Sequence, residues 1–270
     1  MSRVPWMARL LVVVAGAFWV GPYLWMLTTS LKTLPELLAS PLSPLPETLR
    51  AQAYREVWSS VPMGRYLVNT TIMAVLIATM QIALALPAGF ALAKLRFVGR
   101  RAAFAMVLVC LLVPAQVTFV PVFLLLGQVG LVNTMAALVL PFGASALGTF
   151  LVRQALLSVP DELVEAARLD GASDFYIVYR VLAPTLRPTL AALFLLSFVF
   201  HYNDYFWPLV MTTDDRIRTV PLAIALLREQ GTGVRWHLVM AGNVILSAPI
   251  LAVFAFTQKH LVRAVTAKGF

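Results

Sequence analysis

The sequence predicts an all-α integral membrane protein of six transmembrane helices with a polar loop between the fourth and fifth. Three observations lead there. Hydrophobic residues make up 60% of the 270 and charged residues only 12%, with a mean hydropathy of +0.85. A soluble domain carries about 25% charged residues and could not cover its surface with so few. No charge occurs from Ala102 to Val152, too long for one crossing of roughly 20 residues and right for two joined by a tight turn. The basic residues gather in alternate connections, as they do when one face of a membrane protein is cytoplasmic.

The first span covers 10–31, with Trp19, Tyr23 and Trp25 suited to the headgroup level. Arg3 and Arg9 precede it, so a cleaved signal peptide is weighed. Pro22-Tyr23-Leu24-Trp25 makes a poor cleavage site, and the segment is read as a retained span. The loop over 34–62 carries Pro35, Pro41, Pro44, Pro46 and Pro62. It reads as irregular, with a short helix around Ala51–Ser60.

The second span is 67–93. The long uncharged run supplies spans three (102–126) and four (131–152), with Gly127, Gly130 and Asn133 at the turn. The fifth covers 188–211, interrupted by Asp204, and the sixth 238–258. The whole chain, 1–270, is expected to form one transmembrane domain.

Arg3 and Arg9, then Lys94, Arg96, Arg100 and Arg101, then Lys259, Arg263 and Lys268 fall on one face of this arrangement. That face is expected to be cytoplasmic, with both termini on it. The opposite loops, 32–66 and 212–237, are mixed in sign. The net charge of +9 is therefore a topology signal, and no basic patch interleaved with aromatics points to nucleic acid. Cys110 is the only cysteine, so no intrachain disulfide forms, and its apolar run marks it as an inert thiol.

The 153–187 connection is far more polar than its surroundings. Ser158 is a candidate N-cap, and Pro160, Asp161 and Glu162 suit a helix N-terminus. Gly171 stops that helix. Ser173 caps a second one, Asp174 to Leu182, expected to end before Pro184. Leu163, Ala166, Ala167 and Leu169 offer a small apolar surface ringed by charge. The bland reading is a solvated connector; the sharper one is a plug for a partner's groove.

Glu165-Ala166-Ala167-x-x-x-Gly171, followed by Val181-x-x-Pro184, resembles the EAA loop of binding-protein-dependent ABC importer permeases. Ala183 stands where the family usually places Leu. The resemblance extends over nearly the whole chain. Asn203-Asp204-Tyr205-Phe206-Trp207-Pro208 is similar to the aromatic-Asn-acidic-aromatic segment of the carbohydrate branch, with Tyr202 in place of the more usual Trp. Val113-Pro114 and Gly148-Thr149-Phe150-Leu151 match the same branch. Gly231-Thr232 with Trp236 and Met240 is most like the glycerol-3-phosphate type. The chain resembles the second permease of a maltose or glycerol-3-phosphate pair. Its last residues, Thr266-Ala267-Lys268-Gly269-Phe270, depart from the Gly-Ala-Val-Lys-Gly ending of many relatives.

The resemblance implies an inner-membrane transport subunit rather than an enzyme. Its partners would be a second permease of similar fold, a cytoplasmic ATPase dimer, an extracytoplasmic binding protein and membrane lipid. ATP and Mg would be used by the ATPase, with no cofactor on this chain. Glu165, Ala166, Ala167, Asp170, Gly171 and Pro184 would carry the coupling to the ATPase. Substrate contacts are expected at Asn203, Asp204, Tyr205 and Trp207, with Gln116 and Thr118, beside Pro114, as further candidates. An amide and a carboxylate hydrogen-bond sugar hydroxyls, and aromatic faces cover apolar sugar faces. The bland reading keeps Tyr205 and Trp207 as interface anchors and Asp204 as a local cap.

Other chemistries find no support. No Gly-x-x-x-x-Gly-Lys-Ser/Thr motif occurs, so no Walker-type ATP hydrolysis is expected here. His201, His237 and His260 lack metal-ligand spacing. No Ser/His/Asp arrangement suggests an intramembrane protease or acyltransferase. A secondary transporter or channel subunit stays open as the alternative, although such a protein needs intramembrane ionisable groups and only Asp204 qualifies. A structural assembly protein is a third reading, one that would have no use for the coupling loop.

Overall fold

The computed structural model describes residues 6–229 and 234–266, and within them the chain is helical, with no strand among the described residues. Gly231 and Thr232, and the Ala267–Phe270 ending, lie outside the described residues. In chain order the helices are α1 (Trp6–Ser30), α2 (Leu34–Ala39), α3 (Gln52–Ser60), α4 (Met63–Lys94), α5 (Arg100–Leu112), α6 (Ala115–Gln128), α7 (Met135–Val139) and α8 (Ala146–Leu157). They continue as α9 (Asp161–Leu169), α10 (Asp174–Tyr176), α11 (Ala183–Thr185), α12 (Arg187–Tyr202), α13 (Phe206–Met211), α14 (Val220–Glu229) and α15 (Trp236–Thr266).

Three of these are long and apolar enough to cross a bilayer unaided: α1, α4 and, over Trp236–Gln258, α15. Three more candidates are bent pairs, which brings the number of possible crossings to six. The chemistry of the first two bends is local. At α5–α6 the axis turns by 98°. Val113 precedes Pro114, and proline pushes its predecessor out of the helical region; Val113 sits at φ −81°, ψ 116°. A 43° bend separates Met135–Phe142 from Ala146–Leu157, where Ser145 restarts the helix by accepting the Gly148 N–H at 3.0 Å. The third pair, Asp174–Thr185 and Arg187–Tyr202, is bent by 86°.

The chain divides into two compact units. The first comprises 1–67 and 219–249. There α1 buries only Thr29 and Ser30 and leaves its apolar side chains exposed. In a membrane such a surface meets lipid or another subunit. The loop after α1 is more ordered than its proline content predicts. Thr33 and Glu36 form a reciprocal capping box that starts α2, Ser30 and Tyr54 share a hydroxyl–hydroxyl bond of 2.7 Å, and Arg235 pairs with Glu56 of α3.

The second unit, 68–218 and 250–270, holds two apolar cores. One gathers Phe90 of α4, Val152 and Leu156 of α8, Val164 of α9, and Ile177 and Leu182. The other gathers Met73 and Ile77 of α4, Leu138, Trp207 and Met211. The turn between α6 and α7 is where glycine and asparagine marked it: Gly130 and Asn133 take positive φ, 69° and 63°. The Asn133 side chain then accepts the N–H groups of Thr213 and Asp214 at 3.0 and 3.1 Å, fixing the end of α13.

Two local expectations are corrected. Ser158 does not cap α9. It closes α8, its hydroxyl bonded back to the Ala155 carbonyl at 2.7 Å, because two more residues are needed before the chain can turn into α9. The second loop helix does not stop before Pro184. From Ile177 to Leu182 the backbone widens into a π-helix, with the Ala183 N–H reaching the Val178 carbonyl, and helix continues to Thr185. A proline removes one i→i−4 bond and its ring clashes with the carbonyl four back; the wider turn just upstream relieves that conflict.

Candidate functional site

A cavity of about 840 Å³ opens within the second unit. It is lined by Gln116, Thr118 and Phe119 of α6, Phe142 of the turn after α7, Val199 and Phe200 of α12, the 203–205 break, and Trp207. All six residues singled out for substrate contact, Gln116, Thr118, Asn203, Asp204, Tyr205 and Trp207, therefore line one space. Two helix breaks create it. Pro114 starts α6 so that Gln116 and Thr118 reach this space, and the interruption between α12 and α13 presents Asn203 and Asp204. Irregular backbone at membrane depth is tolerated where it lines a cavity or is buried in protein.

The walls are held from behind. Trp207 is buried, and its indole N–H donates to the Ala137 carbonyl at 2.9 Å. Its ring meets Phe119 and Phe142 edge-on, with centroids 5.6 and 5.1 Å away. Phe119 also meets Phe206 at 5.0 Å. These are the edge-to-face arrangements that aromatic quadrupoles favour. Gln81 of α4 donates to the Phe142 carbonyl at 2.8 Å. Asp204 accepts the Trp207 N–H at 3.3 Å and so starts α13; the Asn203 amide donates to the Val199 carbonyl at 2.8 Å and ends α12. Trp207 is thus a buried wall rather than an exposed interface anchor, Asp204 is a local cap, and both border the cavity.

Among its lining residues the ionisable groups are Asp204 and the Tyr205 phenol. Aromatic walls with a carboxylate, two amides and two hydroxyls make a surface for hydroxyl-rich, uncharged groups. The sequence reading missed the aromatic walls Phe119, Phe142, Phe200 and Phe206, because phenylalanine in an apolar run looks the same facing lipid or cavity. Pro141, which breaks the fourth apolar segment as Pro114 breaks the third, was the available signal for Phe142.

The polar loop forms a second site. Helix α9 carries Asp161 and Glu162 in its first turn and Arg168 in its last, matching the helix dipole. It ends in a Schellman motif: the Gly171 N–H bonds the Arg168 carbonyl and the Ala172 N–H the Ala167 carbonyl, both at 3.0 Å, with Gly171 at φ +80°. A side chain at that φ costs roughly 1 kcal/mol or more, which is why glycine stands there. Val164 is buried and Ala167 half-buried against the core of the second unit. Leu163, Glu165, Ala166 and Leu169 face out, Leu169 with 89% of its surface exposed. Asp170 and Gly171 are exposed, and so is Pro184, further along in α11.

The loop is tethered at both ends. Lys94, the last residue of α4, donates to the Val159 carbonyl and to Asp161, each at 2.5 Å. That hydrogen bond, with the lysine charge, holds the Asp161 carboxyl below the usual carboxylate range. Arg168 pairs with Asp174 at 3.0 Å, joining α9 to α10. The Arg153 guanidinium lies 3.7 Å from the Phe104 ring centroid and donates to the Leu92 carbonyl at 3.3 Å. Gly89 of α4 packs so close to α8 that an added Cβ would stand 2.7 Å from Val152 Cγ1. Among the described residues no group of three or more His, Cys, Asp or Glu is placed to hold a metal ion.

Comparison with known proteins gives concordant results. Residues 85–267 match the family described as binding-protein-dependent transport system inner membrane component. The sn-glycerol-3-phosphate transport system permease protein UgpE of Rhizobium meliloti is 32% identical over 263 residues, 94% of this chain and 93% of its own length. The protein of the same name from Escherichia coli O1:K1 is 33% identical over 235 residues, 84% of each chain. Among solved structures, a bacterial ABC transporter involved in the import of the acidic polysaccharide alginate superposes with a TM-score of 0.81 at 22% identity, covering 94% of both chains. The MetNI methionine ABC transporter, in an inward-facing conformation, superposes with a TM-score of 0.58 over 75% of this chain and 95% of its own.

Proposed function

The chain belongs to the binding-protein-dependent transport system inner membrane components, and from that premise we propose that it couples a separate ATPase to movement of a hydroxyl-rich solute through the Phe119–Trp207 cavity. It is a multi-pass inner-membrane transport subunit of an ABC importer, not an enzyme; ATP is hydrolysed on another subunit. The solute we assign is a carbohydrate or a glycerol-3-phosphate-like polyol. Both the aromatic, carboxylate-bearing cavity and the similarity to sn-glycerol-3-phosphate permeases support that class. The hydroxyl-bearing part of such a solute suits this cavity, and any phosphate charge falls to the partner permease or the binding protein.

The observation that carries the coupling assignment is the split character of α9. Its inner face, Val164 and Ala167, is locked into the second unit's core, while Leu163, Glu165, Ala166 and Leu169 stand free. A helix held on one side and bare on the other transmits a push. ATP binding would close the ATPase dimer, displace α9 and, through the Lys94–Asp161 and Arg168–Asp174 pairs, bias the membrane helices between two conformations. This requires the 153–187 loop and both termini to be cytoplasmic, as the basic connections indicate. A second permease, an ATPase dimer and an extracytoplasmic binding protein complete the assembly.

The test is uptake into proteoliposomes holding the reconstituted complex and its binding protein. Labelled sn-glycerol-3-phosphate and labelled maltose, each supplied with ATP, should give ATP-dependent accumulation of one of them. Accumulation of either driven by an ion gradient without ATP would overturn the reading.

A further inference from the structure

We propose that the connection between α4 and α5 is a binding site for the headgroup of an anionic phospholipid. A cavity of about 460 Å³ there is lined by Arg96, Phe97, Gly99, Arg100 and Arg101. Three arginines thus border one small space where α4 ends and α5 begins. They do so at a helix N-terminus, where the dipole is already positive and cations are unfavourable. The first turn of α5 holds no acid, Gly99 lends no side chain to cap it, and the Arg100 N–H turns back to the Phe97 carbonyl at 3.4 Å. Asp161, the carboxylate whose field reaches Arg96, is engaged by Lys94. Arg100 is partly spent on the Leu95 carbonyl at 3.0 Å, but Arg96 and Arg101 are exposed. Like charges whose neighbouring carboxylate, Asp161, is already paired with Lys94 call for an anion, and guanidinium forks match phosphate oxygens.

What selects a lipid over a soluble phosphate is the apolar pair between the arginines. Phe97 is exposed and Val98 fully so, at the tip of the connection. At a membrane surface those side chains enter the acyl region beside a headgroup, whereas in water they would only expose apolar area. Positive charge next to inserted apolar side chains is the chemistry of an anionic leaflet. The site adjoins the coupling loop, because Lys94 closes α4 immediately before the connection and holds Asp161 of α9. The inference rests on the reading of α4 and α5 as membrane helices, and does not depend on which leaflet they end in.

The experiment is native mass spectrometry of the whole complex in an uncharged detergent, titrated with dioleoyl-phosphatidylglycerol or dioleoyl-phosphatidylcholine. The phosphatidylglycerol adduct should persist where the phosphatidylcholine adduct does not, and millimolar inorganic phosphate should not displace it. Each removed cation should weaken binding about fivefold, so Arg96→Gln with Arg101→Gln should lose roughly 25-fold. Arg96→Gln alone carries the same test, at about fivefold, where the double variant fails to assemble. Arg55→Gln, at an exposed position of α3, should change nothing. Equal retention of the two lipids, or displacement by inorganic phosphate alone, would overturn the proposal. So would a double variant that keeps its lipid and loses the ATPase, which would assign the arginines to an acidic protein surface.

Discussion

Lys94, the last residue of α4, reaches Asp161, the first residue of α9, and the Val159 carbonyl just before it. One ammonium thus ties a long apolar helix to the start of the loop helix that carries Glu165-Ala166-Ala167. On the coupling we propose, a displaced α9 would pull on α4 through this ammonium.

The Asp161 carboxyl is held below its ordinary range by that bond. A depressed folded-state value stabilises above the unfolded value, about 3.9 for Asp, and is lost as pH falls through the folded value. The tether should thus be constant between pH 6 and pH 8. Asp161→Asn should speed amide exchange in α9 equally at both, read by hydrogen–deuterium exchange. A tether that weakens between pH 6 and 8 would contradict the assignment.

Gly171→Pro should destroy uptake while membrane levels stay near normal. Proline forbids φ +80° and removes the N–H that bonds Arg168. Gly171→Ala should be milder, because it costs roughly 1 kcal/mol and keeps the donor. Uptake assays paired with quantitative immunoblots check both. Normal uptake by Gly171→Pro would remove α9 from the mechanism.

Asn203→Ala should raise the solute concentration needed for half-maximal uptake and leave ATPase stimulation by the binding protein intact. Asp204→Asn keeps an acceptor for the Trp207 N–H, so α13 should persist while the carboxylate is lost from the cavity. Trp207→Phe removes the bond to Ala137, worth about 1 kcal/mol, but keeps an aromatic wall. Loss of ATPase stimulation together with uptake in Asn203→Ala would make this break a gate instead of a contact surface.

Topology is read by cysteine labelling in a Cys110→Ser background. Ser173→Cys should resist an impermeant maleimide added outside intact cells, and Thr213→Cys should react. The opposite pattern would invert the molecule.

Much of this was legible in residue chemistry. Proline and polar residues inside apolar runs gave away the cavity, since lipid satisfies neither broken backbone nor an amide. Glycine after a charged amphipathic turn gave away the end of α9. What stayed hidden depended on partners distant in sequence. Lys94 reads as an ordinary positive-inside residue until Asp161 stands beside it. Ser158 has the right chemistry for an N-cap, and only the path of α8 decides that it closes one helix and does not open the next. The π-turn ahead of Pro184 follows from a clash that periodicity does not register.

The most direct test of coupling through α9 is purification of the tagged chain in mild detergent with its ATPase measured alongside. Wild type and Asn203→Ala should retain the ATPase in full, whereas Leu169→Asp combined with Glu165→Lys, which charges the exposed face and leaves Val164 buried, should lose it along with uptake. Full retention of ATPase and normal uptake in that double variant would contradict the account.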